Sequence, residues 1–371
     1  MNNRGVGMKV LVSGGGTGGH IYPALALIRT IKKENPHAEF LYVGTENGLE
    51  ANIVGKENIA FKSIVITGFK RSLSLENFKT IYRFLKGVKD CKKIVKEFQP
   101  DVVIGTGGYV CGPVLFAAAK LHVPTIIHEQ NSVPGLTNKF LSKYVDKIAI
   151  CFEQVKEFFP EEKVVYTGNP RATEVVQVGN KGSLTQFELQ DGIPTALIVG
   201  GSRGARAINE TVLQSLPTLA EKPYQILYVT GEVHYEKVLK ELQSIGVSSN
   251  VKIVPFIHNM QEILPVVDVV VGRAGATSIA EINALGLPSI LIPSPYVTNN
   301  HQEKNARVLV DHGASLLIKE TELRSKLLIE SLDTVLLDEQ KREKMKIASK
   351  QLGMPNASQV LFDLMGDLIK K

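Results

Sequence analysis

The sequence predicts an α/β protein made of two doubly wound, Rossmann-like parallel-sheet domains, and three observations predict it. Short, continuous, β-branched apolar runs alternate with helical stretches, as buried parallel strands do. Each half of the chain opens with strand, glycine-rich turn and helix: Val10–His20 in the first, Ala196–Arg206 in the second. Each half then carries another such turn, at 102–110 and at 269–278. Strands regularly alternating with helices favour helices on both faces of a parallel sheet.

The elements follow in order. Met8 is expected to begin the fold, with the seven residues before it a leading extension. Strands are expected at Lys9–Ser13, Phe40–Val43, Val102–Gly105, Thr125–His128 and Lys147–Ile150. Residues Gly168–Asp191 are polar and broken by Asn169-Pro170, Gly179 and Gly182, which reads as an interdomain segment. Ala196–Val199, Ile226–Thr230, Val251–Val254, Val267–Val271 and Ser289–Ile292 supply the second set of strands. After the break at Gly353–Asn356, an amphipathic helix near Ala357–Lys370 is expected to cross back to the first domain. The expected domains are therefore 1–168 joined by 354–371, and 169–353. Ligands of such sheets sit at the carboxyl ends of the strands. Two such edges facing across a cleft would put four glycine turns around one site.

Composition narrows the function classes. The 371 residues are 44% hydrophobic and 22% charged, which argues against disorder. Cys91, Cys111 and Cys151 form neither a CxxC pair nor a disulfide framework, so a reducing compartment is expected. No apolar run approaches the roughly 18 residues of a spanning helix. The net charge of +6 is concentrated: Lys62 to Lys96 holds ten basic and two acidic residues. Such a patch suits nucleic acid, an anionic membrane surface or a phosphorylated ligand.

Gly14, Gly16 and Gly19 satisfy G-x-G-x-x-G between a strand and a helix. A glycine turn lets backbone approach a phosphate, and the helix start adds N–H groups and positive dipole. A nicotinamide site needs an acid ending the second strand, but here the nearest one, Glu46, comes late. The alternative is a turn that only packs helix on strand; five glycines in six residues, followed by His20, favour an anion site. His20 could be a general base, a substrate partner or a cap. His128-Glu129-Gln130-Asn131 follows an apolar strand, and four polar residues there read as a site rather than core. Gly200–Ala205 offers N–H groups, the Ser202 hydroxyl and the Arg203 guanidinium, which suit a diphosphate without metal. No Asp-x-Asp occurs, so no metal is indicated. Glu281, one turn into a helix, could accept two ribose hydroxyls or simply favour the helix dipole.

Together the segments at 14–24, 105–113, 128–131, 167–171, 200–205, 273–281 and 299–306 resemble the bacterial MurG glycosyltransferases, in order and over nearly the whole chain. The resemblance implies the GT-B architecture, two Rossmann-like domains across a cleft. It implies inverting transfer of N-acetylglucosamine from UDP-N-acetylglucosamine to the C4 hydroxyl of N-acetylmuramic acid in lipid I, giving the peptidoglycan precursor lipid II. No cofactor or metal is implied. Partners would be the donor, lipid I and the anionic inner membrane surface, with cell-wall synthesis or division proteins beside them. Location would be peripheral, on the cytoplasmic face of the membrane. By resemblance, Thr17, Gly18 and Gly19 approach the donor, Asn131 bonds its sugar, and Arg171 lies in the Gly-Asn-Pro segment. Ser202 contacts the diphosphate and the Ile257 backbone contacts uracil. Ala276 and Thr277 start the helix beneath the nucleotide, Glu281 holds the ribose, and Gln302 meets the sugar hydroxyls.

The chemistry needs a base for the acceptor hydroxyl and positive potential for departing UDP. His20 is the first candidate base and Glu129 the second. Two other readings compete: a UDP-N-acetylglucosamine 2-epimerase of the same architecture, and a nucleic-acid-binding protein using the basic region. The epimerase has no use for a basic apolar segment, and the region lacks an RNP-type motif. In that region 78, 81, 82, 85 and 88 share one helical face and read mostly as core. Phe69, Leu73, Leu75 and Phe84 are the candidates for membrane insertion.

Overall fold

The computed structural model describes residues 7–68, 76–179, 182–201, 203–245 and 248–370, without the side chains of 76–78 and 243–245. The chain divides into two compact units, residues 1–173 with 356–371, and 174–355.

The first unit runs β1 (Lys9–Ser13), α1 (Gly18–Glu34), β2 (Glu39–Gly44), α2 (Leu49–Gly55), β3 (Ala60–Ser63), α3 (Glu76–Phe98), β4 (Val102–Gly105), α4 (Cys111–Lys120), β5 (Thr125–Glu129), α5 (Leu136–Leu141), β6 (Lys147–Ile150) and β7 (Val164–Tyr166). The strands form a parallel sheet in the order β3-β2-β1-β4-β5-β6-β7. Side chains alternate across it. Val10 and Val12 pack with α1 on one face, and Leu11 packs with α3 and α4 on the other. The C-terminal helix (Ala357–Ile369) closes the first face with Leu361 and Met365. Its start is held by Ser358, whose N–H donates to Thr173 Oγ1 and whose hydroxyl donates to the Pro170 carbonyl. Register aligns the strand ends: Ser13 lies opposite Val43 and Gly105, and Gly105 opposite Ile127. The turns that follow these strands therefore share one edge.

The chain passes to the second unit within α6 (Pro170–Val178), so part of the expected interdomain segment is helix. There follow β8 (Thr195–Val199), α7 (Arg206–Leu219), β9 (Gln225–Val229), α8 (Glu232–Ile245), β10 (Val251–Val254), α9 (Met260–Ile263), β11 (Val269–Gly272), α10 (Ala276–Leu285), β12 (Ser289–Leu291), α11 (His301–Asp311), β13 (Ser315–Leu317), α12 (Ser325–Leu336) and α13 (Glu339–Gln351). This parallel sheet has the order β10-β9-β8-β11-β12-β13. Both sheets reverse their strand order beside the first strand, the place where doubly wound folds bind ligands.

The sequence reading missed β3, β7 and β13. All three are edge strands of only three or four residues; β3 is largely exposed and mixes polar with apolar residues, and β7 and β13 are only partly buried. It also misassigned α3. The buried residues are Thr80, Gly87, Val88, Cys91, Ile94 and Val95, so Val88 is in the core as expected, while Phe84, expected to be free for insertion, packs against Phe116 and Phe140. Ile81, Tyr82 and Leu85, expected in the core, are 46%, 69% and 63% exposed. The face that meets α4 is set by small residues, notably Gly87 against Pro113, rather than by the most apolar stripe. Phe69, Leu73 and Leu75 lie outside the described residues. No helix among the described residues is long and apolar enough to cross a membrane.

Candidate active site

In the first unit two glycine turns interlock at the sheet edge. The Gly15 N–H donates to the Gly107 carbonyl at 3.2 Å. Gly108, at φ +87°, is indispensable there, since a Cβ on it would stand 2.3 Å from the Gly15 oxygen. Side chains hold the first turn from below. The Tyr42 hydroxyl donates to the Gly14 carbonyl at 2.7 Å, and Thr106 Oγ1 donates to the His20 carbonyl at 2.7 Å. Cys111, whose thiol burial pushes up to about 12, donates its S–H toward Ser13 and Gly107 carbonyls. The Gly16 N–H donates to the buried carboxylate of Glu50 at 3.1 Å. With the Gly15 and Gly16 amides engaged, the N–H groups that open α1 fall to Thr17, Gly18 and Gly19, three of the expected contacts. Thr17 is an extended N-cap with no side-chain cap bond, which leaves the helix start for an incoming acceptor group.

His20 sits in the first turn of α1. Its Nδ1 lies 2.9 Å from the Gly15 carbonyl oxygen and 3.3 Å from Thr17 Oγ1. A carbonyl only accepts, so Nδ1 carries a proton. The ring lies against Gly107, where a Cβ would come within 2.6 Å of it. Arg171, in α6, places its guanidinium 5.8 Å from the ring centre of Tyr22, and Tyr22 in turn packs beside Gly18. The structure thus brings Thr17, Gly18, Gly19, His20 and Arg171 to one edge.

The His-Glu-Gln-Asn cluster is different from what the sequence led us to expect. His128, Glu129 and Gln130 are all buried, at 2% exposure or less. Burial holds the His128 imidazole down at about pH 4, hence neutral. Its Nε2–H donates to the Gly168 carbonyl at 2.9 Å, while Nδ1 accepts from Gln130. Gln130 also donates to the Thr106 carbonyl, which ties the second glycine turn to the Thr167–Arg171 segment. Glu129 receives the N–H of Asn131 and of Gly135 at 3.1 Å each, and Asn138 Nδ2 at 2.8 Å. Its carboxylate braces the loop that carries Asn131, so its lone pairs are already committed to protein donors. That arrangement disfavours Glu129 as the base and leaves Asn131 as the member of the cluster presented by that loop. Four polar residues can build an interior when each satisfies another.

In the second unit, the ends of β8, β9 and β11 align, with Val199 opposite Val229 and Gly272. The turn after β8 is wedged at Gly204, where a Cβ would stand 2.0 Å from the Thr230 oxygen, whereas a Cβ on Gly201 would meet nothing within 4 Å. Ser202 lies outside the described residues. The turn after β11 starts α10 at Ala276, with Gly275 again facing open space. The buried Thr277 hydroxyl oxygen has no partner among the described residues. Glu281 is 8% exposed and Ile257 4%, the latter leaving its main chain as the part able to meet a base. Gln302 Oε1 accepts the Ser294 N–H at 2.8 Å, which fixes the side chain at the start of α11. Two residues that the sequence reading passed over anchor this region. Arg273 pairs with Glu320 at 2.5 Å and donates to the Ile292 carbonyl, and Asn305 Nδ2 donates to the Ala274 carbonyl at 3.2 Å. Arg273 directly follows the apolar run Val269–Gly272, and that was its available signal; Asn305 follows the polar run Asn299–Lys304 and carried none. No group of three or more His, Cys, Asp or Glu able to hold a metal occurs among the described residues.

The glycosyltransferase family 28 N-terminal domain model matches residues 10–150, and the C-terminal domain model of the same family matches 195–361. A crystal structure of Acinetobacter baumannii MurG superposes with a TM-score of 0.78, 28% identity, and coverage of 97% of this chain and 99% of that one. A Bacillus cereus protein is 61% identical over 364 residues, covering 98% of this chain and 100% of the relative. Its name is UDP-N-acetylglucosamine–N-acetylmuramyl-(pentapeptide) pyrophosphoryl-undecaprenol N-acetylglucosamine transferase 1. This chain belongs to the MurG family. A Listeria monocytogenes protein described as a putative UDP-N-acetylglucosamine 2-epimerase also superposes, with TM-score 0.70 over 99% of this chain and 98% of that one, but at 14% identity. That likeness is one of fold alone. Architecture is therefore shared with epimerases, and it is the sequence that sets this chain among the MurG transferases.

Proposed function

We propose that this MurG-family chain transfers N-acetylglucosamine from UDP-N-acetylglucosamine to lipid I, undecaprenyl-diphosphoryl-N-acetylmuramoyl-pentapeptide, producing lipid II. The observation that carries this is identity of 61% along essentially the full length of both chains to a transferase of that name. The acceptor C4 oxygen attacks the anomeric carbon, the bond from that carbon to the UDP oxygen breaks with its electron pair going to UDP, and the configuration inverts. His20 Nε2 takes the hydroxyl proton. In the second unit Glu281 holds the ribose, the Ile257 main chain meets uracil, and Ala276, Thr277, Ser202 and Gln302 complete the donor contacts. Thr17, Gly18, Gly19, Asn131 and Arg171 contribute from the first unit.

The membrane-facing surface is assigned to α3 and α5. Ile81, Tyr82 and Leu85 are exposed on α3, and Leu136, Phe140 and Tyr144 on and just beyond α5. A cavity of about 340 Å³ with an almost wholly apolar lining opens between them. Lys79, Arg83, Lys86 and Lys89 lie on the same helix, and each can add about 1 kcal/mol on an anionic leaflet. Lipid I is anchored in the bilayer by its polyprenyl tail, so the enzyme must meet it at the bilayer surface.

Radiolabelled UDP-N-acetylglucosamine incubated with lipid I tests the reaction. Label in the lipid product supports transfer; free N-acetylmannosamine supports the epimerase; label in neither rejects both. Sedimentation with phosphatidylglycerol vesicles tests the surface. Binding weakened by salt and by Tyr82→Ser with Leu85→Ser supports it, while equal binding to neutral vesicles rejects it.

A further inference from the structure

Glu50 is a buried acid that the transfer mechanism above does not use. It is 1% exposed and lies in the first turn of α2, directly below the first glycine turn. Oε1 receives the Thr45 N–H at 2.9 Å and the Thr45 hydroxyl at 2.6 Å. Oε2 receives the Gly16 N–H at 3.1 Å. Room for it exists only because its neighbours are glycines: a Cβ on Gly15 would stand 2.6 Å from Oε1, and on Gly48 2.3 Å.

The Gly16 N–H and the Gly15 carbonyl belong to one planar peptide group. Glu50 grips the N–H end of that plane, and His20 Nδ1 grips the oxygen end at 2.9 Å. We propose that Glu50 is a positioning residue for transfer, acting on His20 through the Gly15–Gly16 peptide. The carboxylate fixes the plane and polarises it, making the Gly15 oxygen a stronger and better aimed acceptor. That acceptor holds the proton on Nδ1 and so keeps the lone pair on Nε2. The work resembles that of an acid bonded directly to a catalytic histidine, here relayed through one amide. Burial raises the Glu50 carboxyl, but bonds from the Thr45 side chain and from the Thr45, Glu50 and Gly16 amides outweigh it and lower it overall, so the group is ionised at neutral pH. An acid in this place is not needed to hold a nucleotide ribose, because its two oxygens are spent on the turn and on Thr45.

The inference rests on His20 as the base, and a double-mutant cycle separates the two. Glu50→Gln keeps size and loses charge. We expect kcat to fall by about 10–100-fold, the range typical when the outer partner orienting a functional histidine is removed. Acceptor KM and UDP binding, which serves as the control for folding, should change less than about twofold. ¹⁵N spectra of labelled protein should show His20 as the Nδ1–H tautomer in wild type and a mixture in the variant. In a His20→Ala background Glu50→Gln should cost nothing further. Should Glu50→Gln fail to fold, Glu50→Asp retains the charge at a shorter reach and should show a smaller loss of kcat with the same tautomer change. Unchanged kcat and tautomer in either folded variant, or an equal loss in the His20→Ala background, overturns the relay. Full activity of His20→Ala alone overturns the base instead, with the tautomer spectrum still reporting on Glu50.

Discussion

The two units open with the same strand, glycine turn and helix, yet their glycines do different work. In the first unit a Cβ on Gly14, Gly15, Gly107 or Gly108 would collide with protein: Thr106, Glu50, His20 or the Gly15 backbone. These glycines exist so that two turns and an acid can interlock. In the second unit Gly201 and Gly275 face open space, while Gly200 and Gly204 are wedged against the backbone of Ala205 and Thr230. The first turn is wired to a histidine. The second set presents backbone to whatever enters. One sequence motif therefore serves either as a rigid mount for a side chain or as an open cradle, and the neighbours decide which.

Substitutions at the glycines can break this contrast. Gly108→Ala places Cβ 2.3 Å from the Gly15 oxygen at φ +87°. We expect it to destabilise the protein by about 2–4 kcal/mol, read as a lowered urea midpoint. A midpoint like wild type would mean the turns do not interlock. Acidification probes the same region. His128 is neutral and held at about pH 4 in the fold, against 6.5 for an ordinary imidazole. Between those values the unfolded chain binds the additional proton, so stability rises with pH and falls as pH drops from 6.5 toward 4. The loss reaches about 3 kcal/mol at most. His128→Gln should flatten the pH dependence of unfolding across that window, and an unchanged slope would place its origin elsewhere.

The cradle side is expected to respond in binding rather than in stability. Glu281→Ala removes a charged acceptor and should weaken donor binding by about 1.5–3 kcal/mol, seen as a raised donor KM in a folded enzyme. An unchanged KM would make Glu281 a first-turn helix residue only. Gly275→Ala gives the smallest effect on folding. Its Cβ meets nothing within 4 Å and its φ of −69° suits alanine, so stability should stay within about 1 kcal/mol of wild type. Donor KM should nevertheless rise, because the methyl group would stand where the nucleotide approaches. Loss of folding would contradict the open cradle.

Much of this was legible in the sequence. Buried parallel strands announce themselves as unbroken apolar runs, and the central strands of both sheets were read within a residue or two of their observed ends. The edge strand Ala60–Ser63 carries no such signal because water covers most of it, whereas the edge strand Val251–Val254 is apolar enough to be read. The positions of the glycine turns were readable, but not what lay beneath them. Glu50 escaped because an acid was sought at the end of the second strand, where a ribose would need it, and not in the first turn of the helix that follows. Glu129 shows a related limit: a polar residue after a strand says that it has a partner, not that the partner is the loop that its carboxylate braces. The exposed stripe of α3 was assigned to the core because periodicity identifies an apolar face without saying what covers it.

The central claim is that His20, mounted on the first unit's turn, performs the proton transfer while the second unit holds UDP. Single-turnover transfer to lipid I by wild type and His20→Ala, with both substrates saturating and UDP affinity measured beside it, tests this most directly. The account predicts a rate lower by about 10²–10⁴-fold with UDP affinity intact. A wild-type rate in the variant, or a loss traced wholly to weaker substrate binding, would contradict it.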